Sequence, residues 1–396
     1  MCTKIAQVGV ETRLADIYAG YRGVFTGPER DFKNALADLF PAKHVYLSSS
    51  GTAAFSIILS ALKSISSKKE VILPAYTAPA MVLPVLKAGL KPVLCDISLK
   101  DFNLDLDLLT QTITQDTLCV VPTHLFGIVN SGIENLKEKM PGVYVIEDCA
   151  QSFGSMLEGK VAGVFGDAAF FSFNRGKNLP TYGGGCSITD SPKLAESIQR
   201  EACVLKEQGL FLKFILPLKI VAFSLAVRPR VYGALYSVIA KFKDERVPVD
   251  FPAKKYTNFQ SGFGLSLLSR IKESSQTRYR NGTILLEGLS GIGDLMLPHI
   301  GGESKPAFNR FPILCEKPGV KARIEKALVE AGIDISHMYG RPLHHIFDLG
   351  YRKEDFPHAV YLAGCLLTLP VHPLVKEQDA RRIVEVIRKI CSPGKI

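Results

Sequence analysis

The 396-residue chain has no tryptophan, and its nine cysteines include no pair at metal-ligand spacing. The missing tryptophan decides nothing about the fold, but the cysteine pattern does exclude something. Odd in number and scattered, with Cys95, Cys119, Cys149 and Cys186 in or beside apolar strand-like runs, these thiols read as small core residues. That speaks against bridges and metal sites, and for a reducing, cytoplasmic compartment. The opening Met1-Cys-Thr-Lys-Ile-Ala-Gln7 lacks the long apolar stretch of a secretory signal. Zinc-finger spacing and an RNP-like aromatic strand are absent, so the net charge of +10 does not point to nucleic acid. There is no internal repeat and no low-complexity tract. One stretch lacks acid altogether: between Gln208 and Lys243 stand Lys213, Lys219, Arg228, Arg230, Lys241 and Lys243 with no acidic residue. Their neighbours are Leu, Ile, Phe and Val, which suit a lipid surface better than a phosphate backbone.

What is present is the composition of a folded protein, 47% hydrophobic and 22% charged, with length enough for two or three lobes. Strand-like and helix-like segments alternate up to residue 148, with strands at 70–73, 91–97, 117–123 and 143–148. This predicts an α/β domain whose mostly parallel sheet is flanked by helices and binds ligands at the carboxyl ends of its strands. The last of these strands ends in Glu147 and Asp148, and the plain reading of Glu147 is a helix cap. Earlier, a short strand from residue 45 runs into Ser50-Gly51-Thr52 and a buried helix over 53–62. Free backbone N–H groups and a helix dipole then meet at Gly51 and Thr52, a natural phosphate seat, although the same residues cap ordinary helices. Beyond Pro252, helices near 265–271, 284–289, 321–331 and 379–390 with strands near 311–316 and 366–369 fit a smaller α+β domain. The expected division is 1–250 for the large domain, including an apolar, basic insert at about 204–250, and 251–396 for the small one.

Residues 168–173 and 185–189 read as neighbouring buried strands. The polar loop between them carries one lysine, Lys177, and leads into Gly183, Gly184 and Gly185. A lysine leaving a buried strand can be desolvated enough to become the neutral amine that Schiff-base chemistry needs. On this segment alone a solvated loop lysine is the plainer reading.

Several spaced motifs change that balance. They are Ser50-Gly-Thr-Ala-Ala54, Val71-Ile-Leu-Pro-Ala-Tyr-Thr77, Gly89-Leu-Lys-Pro-Val93 with Asp96, and Val121-Pro-Thr-His-Leu-Phe-Gly127. Ile146-Glu-Asp-Cys-Ala-Gln-Ser-Phe-Gly154, Phe171-Ser-Phe173 with Lys177, Phe356-Pro-His-Ala359 and Leu369-Pro-Val-His-Pro373 follow in order. Outside about 204–250, this ordered set resembles the PLP-dependent sugar aminotransferases of the DegT/DnrJ/EryC1/StrS type, which have the fold-type I architecture. The resemblance implies pyridoxal 5′-phosphate as cofactor. It makes Lys177 the Schiff-base lysine, which also moves the proton between the donor's Cα and the cofactor. It puts Asp148 beneath the pyridine nitrogen, which it keeps protonated. Gln151 would lie against the ring or its 3′ oxygen, or be a simple cap. Gly51, Thr52 and Ser172 would form the phosphate cup, and Asn258 would reach the phosphate from the partner subunit of a homodimer.

The implied reaction moves an amino group, from L-glutamate, to a keto-sugar on a nucleotide or lipid carrier. A dehydratase branch of the family replaces the lysine with histidine, and here Lys177 is retained. The alternative from another class is a non-catalytic regulatory or membrane-associated binding protein on the same fold. The chain also departs from the pattern: Gly183 stands where a glutamate is common, Gln260 where arginine follows the aromatic residue, and Ala78 where an aromatic ring stacks on the cofactor. His124 is then either the stacking group or a core histidine. The segment 210–242 is expected to lie on the inner face of the membrane. Twelve Leu, Ile, Phe and Val residues over 209–227 favour insertion by roughly 4–7 kcal/mol, and Lys213 and Lys219 oppose it by about as much. Spanning is therefore not favoured, whereas lying flat in pieces broken at Pro217 and Pro229 is; the competing expectation is extra core against the partner subunit.

Overall fold

A computed structural model describes residues 4–241 and 249–391. Its short apolar runs form the strands β1 (His44–Ser48), β2 (Glu70–Pro74), β3 (Lys91–Cys95), β4 (Thr117–Val120) and β5 (Tyr144–Asp148). A small hairpin, β6 (Met156–Leu157) and β7 (Lys160–Val161), precedes β8 (Ala168–Ser172) and β9 (Gly185–Thr189). Seven of these strands make one sheet in the order β1-β9-β8-β5-β4-β2-β3. Only β9 runs against its neighbours; the other adjacent pairs are parallel. The carboxyl ends of β1, β2, β4, β5 and β8 therefore share one edge. Strands β2, β4 and β9 are buried along their whole length, as expected of a sheet covered on both faces.

Helix Gly51–Ile65 covers one face, capped by the Ser50 hydroxyl, which accepts from Ala53 N at 3.0 Å. Its Phe55 stacks on Phe170 of β8 at 4.9 Å. The core on this side continues without a break into Ile313, Leu367 and Ile387. These belong to the C-terminal lobe, an antiparallel sheet of β10 (Leu295–Met296), β11 (Phe311–Cys315) and β12 (Leu366–Leu369) with helices Pro318–Glu330, Pro357–Cys365 and Glu377–Cys391. The other face of the large sheet buries Phe32, Phe40, Phe153, Phe171 and Phe173 with Phe259 and Phe263 of helix Asn258–Leu268.

The insert forms helices Leu210–Ala226 and Pro229–Lys241. Pro217 sits inside the first of them, against the expectation that it would break the segment. Leu216 and Ile220 on either side are buried in the core of the large lobe, and this anchorage outweighs the one backbone donor that proline removes. Among the described residues no helix is long and apolar enough to cross a membrane. Phe242 and Lys243, the last of the expected apolar, basic segment, lie outside the described residues.

Candidate active site

At the shared carboxyl edge, a cavity of about 530 Å³ is lined by Ala78, Arg175, Lys177, Arg310, Tyr339 and Arg341, among others. Lys177 reaches it from the loop after β8, where its N–H closes a turn on Asn174 O at 3.1 Å. The preceding Gly176 has φ +83°, a left-handed conformation that favours glycine. Desolvation lowers the Lys177 pKa to about 8, against the pull of the Asp148 carboxylate and with the push of Arg310. Asp148, at the end of β5, is buried and accepts Ala150 N at 2.9 Å. Burial raises its pKa, while the Ala150 N–H and the charge of Lys177 oppose the rise.

Gly51 and Thr52 open the helix that follows β1, where backbone N–H groups have no partner within the helix. A Cβ on Gly51 would lie 2.8 Å from Ser172 Cβ, and one on Gly185 would lie 2.6 Å from Gly51 N. Side chains at these glycines would fill the cradle that the three segments form. Gln151 is buried; its Oε1 accepts Phe126 N at 3.1 Å and its Nε2 donates to the Tyr339 hydroxyl at 3.3 Å. Asn258 is exposed at the start of its helix, beside Gly23 and Gly27 of helix Leu14–Thr26, and is not among the residues lining the cavity.

Two acids at the end of β5 take different parts. Glu147 caps no helix; it is fully buried and accepts from Gly163 N, Phe165 N and Gly166 N at 2.8, 2.7 and 2.7 Å. It also meets His124 Nε2 at 2.8 Å, while His124 Nδ1 accepts Asn130 N at 3.1 Å, so the ring proton faces Glu147. Fully buried, with both nitrogens engaged, His124 is a core histidine and does not line the cavity. The expectation of a capping Glu147 fails because the strand end turns inward under the loop over 163–166.

The sequence reading missed Arg175, Arg310, Tyr339 and Arg341. Arg175, two residues before Lys177, was in view without a motif to mark it; the others come from the C-terminal lobe, whose approach to the cavity no local pattern encodes. Arg278 helps place Arg310: fully buried, it donates to Phe308 O and Asn309 O at 3.0 and 3.3 Å, and burial pulls its pKa down to about 9.

The profile of the DegT/DnrJ/EryC1/StrS aminotransferase family matches residues 20–388. The chain belongs to this family. It is 30% identical over 356 residues to the pleiotropic regulatory protein of Geobacillus stearothermophilus, covering 87% of this chain and 84% of that one. It is 24% identical over 393 residues to the dTDP-3-amino-3,4,6-trideoxy-alpha-D-glucose transaminase of Micromonospora megalomicea subsp. nigra, covering 96% of each. The fold matches a Streptococcus pneumoniae protein solved in its PLP form, with a TM-score of 0.78, 22% identity and 98% of both chains covered. The aminotransferase uses pyridoxal 5′-phosphate. When bound, this cofactor supplies an aldehyde carbon for amines and a ring that accepts electrons. A buried carboxylate with a raised pKa, a cradle of glycines at a helix start and a lysine of lowered pKa fit its ring nitrogen, phosphate and aldehyde.

The lowered pKa of Lys177 has a testable sign. At pH 7.5 about a quarter of an amine with pKa near 8 is neutral, against about 0.1% for one at 10.5. Cofactor uptake by the apoprotein should therefore accelerate through pH 8 and level off above it, as stopped-flow absorbance would record. A rise continuing to pH 10.5 would mean that Lys177 is not desolvated.

Proposed function

We propose that this aminotransferase moves an amino group from L-glutamate to a keto-sugar carried on a nucleotide or lipid diphosphate, and that it works as a homodimer. The observation that carries the reading is Lys177, its pKa lowered by desolvation, near enough to the buried Asp148 to feel its charge and lining a cavity with three arginines. In this reading Lys177 Nζ would hold the cofactor and, once the donor's amine had taken its place there and left it free, would take the proton from the donor's Cα and return it on the other side of the transfer. The Asp148 carboxylate would keep the ring nitrogen protonated. The N–H groups of Gly51 and Thr52 and the Ser172 hydroxyl would hold the phosphate, and Gln151 would orient the ring. The Micromonospora relative, named for a dTDP-linked amino sugar, supports a nucleotide sugar as substrate. The test is a pair of half-reactions: L-glutamate should convert the pyridoxal form to the pyridoxamine form, and a candidate keto-sugar should convert it back. Absence of any spectral change across amino acids would overturn the reading.

Dimerisation is supported by helix Leu14–Thr26, which leaves Leu14, Tyr18, Tyr21 and Phe25 exposed on one face with Asn258 close by. A second copy covering that face would bring Asn258 to a shared site, and the mass in solution checks it.

The insert supports membrane attachment. Leu218, Val221, Leu225, Val231 and Leu235 are exposed on its two helices among exposed Lys219, Arg228 and Arg230. Each cation contributes about 1 kcal/mol on an anionic leaflet, and the apolar side chains can enter the acyl boundary. Flotation with anionic vesicles should carry the protein up at low salt, and Lys219→Gln, Arg228→Gln and Arg230→Gln together should reduce that fraction several-fold. A chain that stays at the bottom at low salt would assign the insert to the subunit interface.

A further inference from the structure

Helix Leu210–Ala226 falls outside the motifs of the family, yet it touches the loop that carries Lys177. The guanidinium carbon of Arg175 lies 4.8 Å from the centroid of the Phe223 ring. The other side of the same loop docks there too: the Tyr182 ring stacks on Phe223 at 5.9 Å and 24°. The Tyr182 hydroxyl meets Ser224 Oγ at 3.4 Å, and Ser224 Oγ itself donates to Ile220 O at 2.6 Å. One ring of the insert thus serves residues on both sides of Lys177, and buried Leu216 and Ile220 fix that helix to the core.

Arg175 also lines the Lys177 cavity, together with Arg310 and Arg341, and among the described residues no acidic side chain lines it. Three forked guanidinium groups around a cavity of this size suit an anion with several oxygens. The keto-sugar itself is uncharged, so on the substrate side that anion is the diphosphate of its carrier. We infer that Arg175, Arg310 and Arg341 form a diphosphate seat in the mouth of the cavity, and that Phe223 of the insert is the positioning residue that keeps Arg175 in it. The inference rests on the function proposed above and adds the part of the substrate that is recognised. A nucleoside diphosphate and a prenyl diphosphate share this chemistry. The exposed Leu218, Val221 and Leu225 on the outer face of the same helix would meet a prenyl chain and offer nothing to a nucleoside.

The test uses the holoenzyme and three probes: inorganic pyrophosphate, UDP and farnesyl diphosphate, with binding followed by calorimetry. All three should bind, and Arg175→Gln and Phe223→Ala should each weaken them about ten-fold. Phe223→Tyr, which keeps the ring face, should retain the wild-type affinity and so separates positioning from a general loss of packing. Farnesyl diphosphate bound more tightly than UDP would name a lipid carrier, and the reverse a nucleotide; either ranking supports the seat. Unchanged pyrophosphate binding in Arg175→Gln, or a defect confined to the L-glutamate half-reaction, would overturn it. The borohydride-reducible cofactor link to Lys177 is measured on the same samples. Its presence beside unchanged diphosphate binding refutes the seat alone, and its absence from the wild-type chain refutes the proposed function.

Discussion

Lys177→Ala lowers kcat by about 10⁴-fold or more and abolishes covalent attachment of the cofactor on borohydride reduction. Proton transfer by a positioned group is worth about 10²–10⁴-fold by itself, and the same Nζ also serves as the nucleophile. Among the described residues no other lysine lines the cavity to take over either task. The fold should survive, because the side chain opens onto the cavity. The apoprotein should even gain thermal stability at neutral pH: a lysine whose pKa falls to about 8 on folding disfavours the folded state below that pH, and the penalty fades as pH rises towards 10.5. Mass spectrometry after reduction is the direct check. A covalent adduct in Lys177→Ala would sink the assignment.

Asp148→Asn should lower kcat by about 10²- to 10³-fold, the equivalent of about 3–4 kcal/mol, as expected for removing one partner of a buried charge pair. Asparagine keeps the size of the side chain and can still accept the Ala150 N–H, so the local backbone has no reason to move. Without the cofactor the sign reverses. Burial raises the Asp148 pKa above its unfolded value, so its contribution to stability is present at low pH and is lost as pH rises through the folded pKa. Apo Asp148→Asn should therefore be at least as stable as the wild type at pH 7, and less active once loaded. Wild-type turnover in this variant would remove Asp148 from the mechanism, and a fall in apo stability would show a structural role instead.

The sequence by itself determined the family, the alternating strands and helices, and which residues end the strands at one edge. Local spacing placed Lys177, Asp148, Gly51 and Ser172 at the ends of apolar runs that become strands, and the ordered motifs' resemblance to the family, not the spacing, implied roles for them. The basic, apolar character of the insert was equally plain. Tertiary packing decided what those local patterns could not. Glu147 became a buried acceptor for the loop over 163–166, and Pro217 stayed within a helix because its neighbours on both sides reach the core. Arg310 and Arg341, far along the chain, met Arg175 at one cavity. Two departures from the family pattern also proved to be a single contact: Gln260 Nε2 donates to Gly183 O at 3.0 Å and to Thr181 O at 3.2 Å. The position where a glutamate is common and the one where an arginine is common thus touch, through a neutral amide on a backbone carbonyl. Residues 77 apart in sequence share no periodicity, so only the packing of helix Asn258–Leu268 against the Lys177 loop could bring them into contact.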